Sequence, residues 1–119
     1  MIIAVDFDGV VSASPYPAVG VAHAGAVDAL RQLHEEGHRL ILWTCREGED
    51  LLRAINWCLD SGIRWDNINC NDRDNIRKYE GDTRKVYADL YIDDKQVGGF
   101  PGWAEVLRWV DCLEASGTM

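Results

Sequence analysis

Two groups of acidic residues stand out along the chain: Asp6 and Asp8 near its start, and the adjacent pair Asp93-Asp94. Each group closes an apolar run, Ile2 to Val5 in the first case and residues 86–92 (VYADLYI) in the second. Carboxylates brought together repel one another unless a cation or a shared proton offsets their charge. An all-oxygen set of this kind suits Mg²⁺, which takes oxygen ligands in octahedral geometry and keeps several waters, so that two or three protein oxygens suffice. A metal so held neutralises charge on a transferring phosphoryl group, and a carboxylate such as Asp6 can attack phosphorus to form an aspartyl-phosphate. Thr44 and Arg46 close a third apolar run, residues 39–43 (RLILW), and offer a hydroxyl and a guanidinium for phosphate oxygens.

These groups meet only if the elements between them bring the run ends to one place. Short apolar runs alternate with amphipathic segments, the pattern of a parallel sheet flanked by helices. The fold class expected is α/β, a three-layer α/β/α Rossmann-like domain over residues 1–119. Strands are expected at Ile2 to Val5, at 39–43, at 86–92 and, weakly, at 66–70, where Asn67 and Asn69 dilute the signal. Val27, Leu30 and Leu33 place a helix over residues 25–36, with Gly37 as a left-handed stop. Leu51, Leu52, Ile55, Cys58 and Leu59 place another over 48–60, ended by Gly62. Residues 71–84 read as a polar connection without periodicity. A last amphipathic helix opens after Pro101-Gly102 and carries Trp103, Val106, Leu107, Val110 and Leu113. In an open parallel sheet the carboxyl ends of the strands share one edge, where ligands bind. Asp6, Asp8, Thr44, Asp93 and Asp94 are therefore expected to converge there.

Asp6-Phe7-Asp8-Gly9-Val10 after an apolar strand resembles the D-x-D-G-[TV] signature of the haloacid dehalogenase (HAD) superfamily. The resemblance implies that Asp6 is nucleophile and metal ligand. It implies that Asp8 is the general acid and base and binds the metal through its backbone carbonyl. Thr44 matches the family's second motif, a hydroxyl that binds the phosphoryl group. Lys85, ahead of the 86–92 run, is similar to the third motif's cation, with Arg84 and Lys78 as substitutes; such a cation would hold Asp6 ionised and offset charge in the transition state. Asp93-Asp94 resembles the fourth motif, with Asp94 the preferred Mg²⁺ ligand and Asp93 its neighbour, the two able to exchange roles. Gly9 would let the chain turn beside the bound phosphate, where a side chain would crowd it. Neither the interval 11–25 nor 60–85 holds a cap domain, so the resemblance is to a cap-less member. The implied activity is Mg²⁺-dependent hydrolysis of a phosphate monoester, on a small molecule or on an exposed phosphate of a larger one.

Rival readings are bounded by the same residues. A non-catalytic HAD-fold domain that keeps the metal site for binding or regulation is the alternative from another class. A phosphoacceptor receiver domain would carry its acid pair after the first strand, whereas here the pair comes last. The net charge of −8 argues against sequence-independent nucleic-acid binding. No apolar run approaches the roughly 18 residues of a membrane span, and the short apolar start runs into Asp6, so a cytoplasmic protein is expected. Cys45, Cys58, Cys70 and Cys112 form no C-x-x-C pair and read as reduced, mostly buried thiols. His23, His34 and His38 have no ligand spacing and read as surface or helix-end residues.

Overall fold

The computed structural model describes residues 1–117. Strand β1 (Ile2–Val5) lies between β2 (Arg39–Leu42) and β4 (Leu90–Ile92), and β3 (Asn67–Ile68) lies outside β2; all pairings are parallel. The continuous apolar sequence of β1 fits this interior place, because a central parallel strand is covered on both faces. Val5 is level with Leu42 and with Ile92. Residues that follow these three therefore leave the sheet together, on one edge. The ladder runs one step further on each side, Asp6 N donating to Ile92 O (2.9 Å) and Trp43 N to Val5 O (2.8 Å).

The helices are α1 (Ala26–Glu35), α2 (Gly48–Asp60), α3 (Arg73–Tyr79) and α4 (Trp103–Ser116). Side chains alternate across a strand. Ile3, Val5, Leu40 and Leu42 share one core with Leu30 and Leu33 of α1, Ala54 and Cys58 of α2, and Trp103, Val106 and Val110 of α4. Ala4 and Ile41, between them in sequence, pack instead with Val86 and Ala88, with Ile2 and Trp43 alongside. Gly37 takes a φ of +88°, the left-handed stop its sequence position calls for. Among the described residues no helix is long and apolar enough to cross a membrane.

Two segments depart from expectation. The run 86–92 is strand only at Leu90–Ile92. The preceding amides find partners off the regular ladder: Tyr87 N donates to Asn71 Oδ1 (2.7 Å), Ala88 N to Tyr91 Oη (3.1 Å) and Asp89 N to Ile2 O (2.8 Å). Val86 and Ala88 are still buried, which is why the alternation reads as strand. Residues 71–84, expected to be a connection, contain α3. It buries no side chain and so leaves no apolar stripe to read. Polar groups hold it: Asp72 accepts from Asp74 N at its start (3.1 Å), and Arg39 bridges Asp72 (2.7 Å) and Asp74 (2.9 Å). Of the cysteines only Cys58 is buried, and Cys45 and Cys112 are exposed. His38, expected at the surface or at a helix end, lies just past the end of α1, where its N donates to Leu33 O (3.1 Å), and is buried.

Candidate active site

Beyond β1 the chain turns at once. Phe7 O accepts from Val11 N and Ser12 N (both 2.9 Å), and the Trp103 indole, buried at the start of α4, donates to Val10 O (2.8 Å). This turn fixes Asp6, Asp8 and Gly9 at the carboxyl edge of the sheet. Carboxylate oxygens of Asp6, Asp93 and Asp94 lie within 4.8 Å of one another, each half-buried. Three hard oxygen donors at that spacing could hold a divalent cation. Electrostatics point the same way. Burial, then the charge of Asp93 and a hydrogen bond with Asp94, pushes the Asp6 carboxyl up to about 8. Asp93 moves down, chiefly because Lys95 N donates to its Oδ1 (3.0 Å). Without a cation the cluster thus keeps a proton, on Asp6; a divalent cation would take the place of that proton.

Gly9 is required by Asp94 rather than by open space for a ligand alone. A Cβ at residue 9 would stand 2.5 Å from Asp94 Oδ2 and 2.9 Å from its Cβ, at a φ of +81°. Gly9→Ala is therefore expected to displace Asp94. The left-handed backbone by itself costs an alanine roughly 1–2 kcal/mol. Urea unfolding should show at least that loss, and thermal shift against Mg²⁺ should show weakened stabilisation by the ion; an unchanged Mg²⁺ response would mean that Asp94 is not a ligand.

The cleft around these acids has a volume of about 590 Å³. Asp8, Thr44 and Lys95 line it, as do Ser14, Tyr16 and Trp43. Thr44 is placed by a residue the sequence reading did not single out. Asn69, just past β3, accepts from Thr44 N (2.8 Å) and donates to Thr44 O (3.0 Å), pairing with it as a strand would. The Thr44 hydroxyl accepts from Arg46 N (3.1 Å), which leaves its own hydrogen to donate. The one sequence signal for Asn69 was its tolerance of the left-handed conformation, taken here at φ 54°.

Asp8 is held apart from the acid cluster. Both its oxygens accept from Arg46, from Nε and Nη2 at 2.8 Å each. Arg46, expected either to grip phosphate or to form a surface salt bridge, forms a buried one, and has its remaining donors on Pro17 O (3.0 Å), Ala18 O (3.2 Å) and Asp50 O (3.1 Å). Its side chain is 1% exposed. The guanidinium is fully committed inside the protein, so its task is to hold Asp8 and the 13–22 loop. Lys85 is likewise elsewhere: its ammonium lies over the Tyr91 ring, 5.2 Å from the centroid, and it does not line the cleft. The reason is topological. Asp89 is level with the start of β1, so Lys85, still earlier, precedes the sheet, whereas Asp93 follows it. Arg84 does not line the cleft either, and Lys78 lines a separate hollow with Ile2 and Asp89. Lys95 is the one lysine or arginine among the described residues that line it.

Fold and site together define a parallel α/β protein whose central strand delivers an acidic residue into a three-carboxylate cleft. The chain is similar to a conserved protein from Bacteroides thetaiotaomicron of solved structure, with 42% sequence identity and a TM-score of 0.83 over 93% of this chain and 89% of that one. It belongs to the family of that conserved protein. No protein-family model matches the chain, and no curated protein matches it.

Proposed function

We propose that the chain is a cap-less, HAD-type, Mg²⁺-dependent phosphohydrolase that cleaves a phosphate monoester through an aspartyl-phosphate on Asp6. The observation that carries this is the meeting of Asp6 with Asp93 and Asp94 at one sheet edge, from strands far apart in sequence. The architecture under this reading is three-layered, with α1, α2 and α4 on one face and the 86–88 segment and α3 as the thin third layer.

Asp6, Asp93 and Asp94 would hold Mg²⁺, which supplies charge neutralisation for the acids and for the phosphoryl oxygens. In the first half-reaction an Asp6 oxygen attacks phosphorus and the bond from phosphorus to the ester oxygen breaks. The leaving oxygen takes a proton from Asp8. In the second, water attacks phosphorus, Asp8 recovers a proton, and inorganic phosphate leaves with Asp6 regenerated. For this, Asp8 must turn one oxygen from Arg46 toward the leaving group. Thr44 donates to a phosphoryl oxygen, and Lys95 takes the place in the cleft that the sequence reading gave to Lys85.

The binding-only alternative draws on the Arg46 clasp, which keeps Asp8 from the acid cluster in this conformation. Phosphate release decides between the two. With Mg²⁺ present, the protein should liberate phosphate from members of a panel of phosphorylated metabolites and aryl phosphates, and chelation should abolish the release reversibly. Absence of release across metals and substrates would leave only the binding reading.

A further inference from the structure

On the side of the cleft where Asp8 stands, one exposed side chain makes two specific contacts. Tyr16 is 62% exposed, yet it is fixed at two points. Its hydroxyl donates to Asp50 Oδ2 (3.0 Å), on the first turn of α2. Its ring lies over the Arg46 guanidinium, 5.0 Å from the centroid, and the same guanidinium lies 4.9 Å from the buried Phe7 ring. Arg46 in turn holds Asp8. A single buried side chain thus ties the tyrosine to the group that serves the leaving oxygen. Tyr16 and Asp8 line the same cleft as Asp6, and Trp43 supplies a second aromatic side chain to its wall.

We infer that Tyr16 is a stacking shelf for the leaving group, so that the preferred substrates are phosphate monoesters carrying a planar ring system, a nucleobase or a fused aryl group. The inference rests on the phosphohydrolase reading and adds a substrate class to it. A ring already held in place loses little freedom when a second ring lies on it, and base–aromatic stacking is sequence-tolerant because every base has a π face. Lys95 is the one lysine or arginine among the residues lining the cleft, so a second phosphate group would find no further protein cation there.

The cleanest pair of substrates is a nucleoside 5′-monophosphate and ribose 5-phosphate, both esters of a primary 5-hydroxyl on ribose, whose leaving groups differ in the base. With Mg²⁺ present, kcat/KM should favour the nucleotide by about ten- to a hundredfold, carried by KM. Tyr16→Leu should collapse that ratio toward one, and Tyr16→Phe, which keeps the ring, should retain most of it. Comparing 2-naphthyl phosphate with phenyl phosphate reads the same effect for an aryl source. A stability change in Tyr16→Leu with the ratio intact would show a mere cover for Arg46 and overturn the proposal, as would a wild-type ratio near one. Should the wild-type protein turn over nothing, calorimetric binding of the same nucleotide and ribose 5-phosphate with Mg²⁺ separates the two ideas. A tenfold preference lost in Tyr16→Leu then upholds the shelf while the hydrolase reading falls, and equal or undetectable binding sinks the shelf.

Discussion

Asp6→Asn is expected to remove Mg²⁺-dependent phosphate release, by ~10³-fold or more, while making the metal-free protein more stable in mild alkali. The first effect follows from chemistry: a carboxamide is no nucleophile toward phosphorus. The second follows from linkage. The Asp6 carboxyl moves from 3.8 to about 8 on folding, because burial and the Asp93 charge disfavour its ionised form. The folded chain therefore keeps a proton there that the unfolded chain releases near pH 4. Stability from this group is complete below about pH 4 and is lost as pH rises through about 8. Asparagine has no such loss. Melting curves of the two metal-free proteins should nearly coincide near pH 4 and separate toward about pH 9, with the variant higher by a few degrees. Saturating Mg²⁺ should restore the wild-type protein and leave the variant little changed. Equal phosphate release by the variant, or parallel pH profiles of melting, would remove Asp6 from the centre of the site.

How much of this could be seen without coordinates depends on whether the cue is local. The strands at 2–5 and 39–42 and the helices Ala26–Glu35 and Gly48–Asp60 were legible because apolar runs and a 3.6-residue stripe lie within the elements themselves and the stops at Gly37 and Gly62 lie close behind the helices. α3 was not, since nothing in it is buried and its hold on the domain is the Arg39 bridge to Asp72 and Asp74, more than thirty residues away in sequence. The 86–89 stretch misled for the opposite reason: burial of Val86 and Ala88 imposes alternation whether or not a ladder forms.

The site divides in the same way. Convergence of Asp6, Asp93 and Asp94 follows from parallel topology alone, given the register of Val5 with Ile92. That rule, applied strictly, also counts against Lys85, since a residue ahead of a parallel strand lies at the opposite edge from one that follows it. It favours Lys95, just past the acid pair. Asn69 and Tyr16 owe their places to contacts with Thr44 and Arg46 that no spacing reveals. The place of Arg46 after Thr44 suggests a phosphate ligand or a surface salt bridge; what decides its role is Asp8 together with carbonyls contributed by the 13–22 loop and by α2.

Arg46→Met should accordingly be among the most destabilising single changes in the domain. Methionine fills much of the volume but leaves the carbonyls of Pro17, Ala18 and Asp50, and the Asp8 carboxylate, without their donors. Breaking a buried pair by removing one partner typically costs about 3–5 kcal/mol. The Asp8 side chain is 30% exposed, so water takes up part of its charge and the lower end of that range is expected. Even that is a large share of the roughly 5–15 kcal/mol that holds a domain together. Arg46→Lys should recover part of the loss, because an ammonium keeps the charge but cannot fork across both Asp8 oxygens while reaching three carbonyls. The double change Asp8→Asn with Arg46→Met offers the sharper measurement. If the cost lies in an unpaired carboxylate, removing that charge should make the double variant more stable than Arg46→Met alone, by urea midpoint. If instead the two substitutions add, the loop carbonyls carry the whole effect and the clasp on Asp8 contributes nothing to the fold. In that case Asp8 would be free to turn toward a leaving group at no cost in stability.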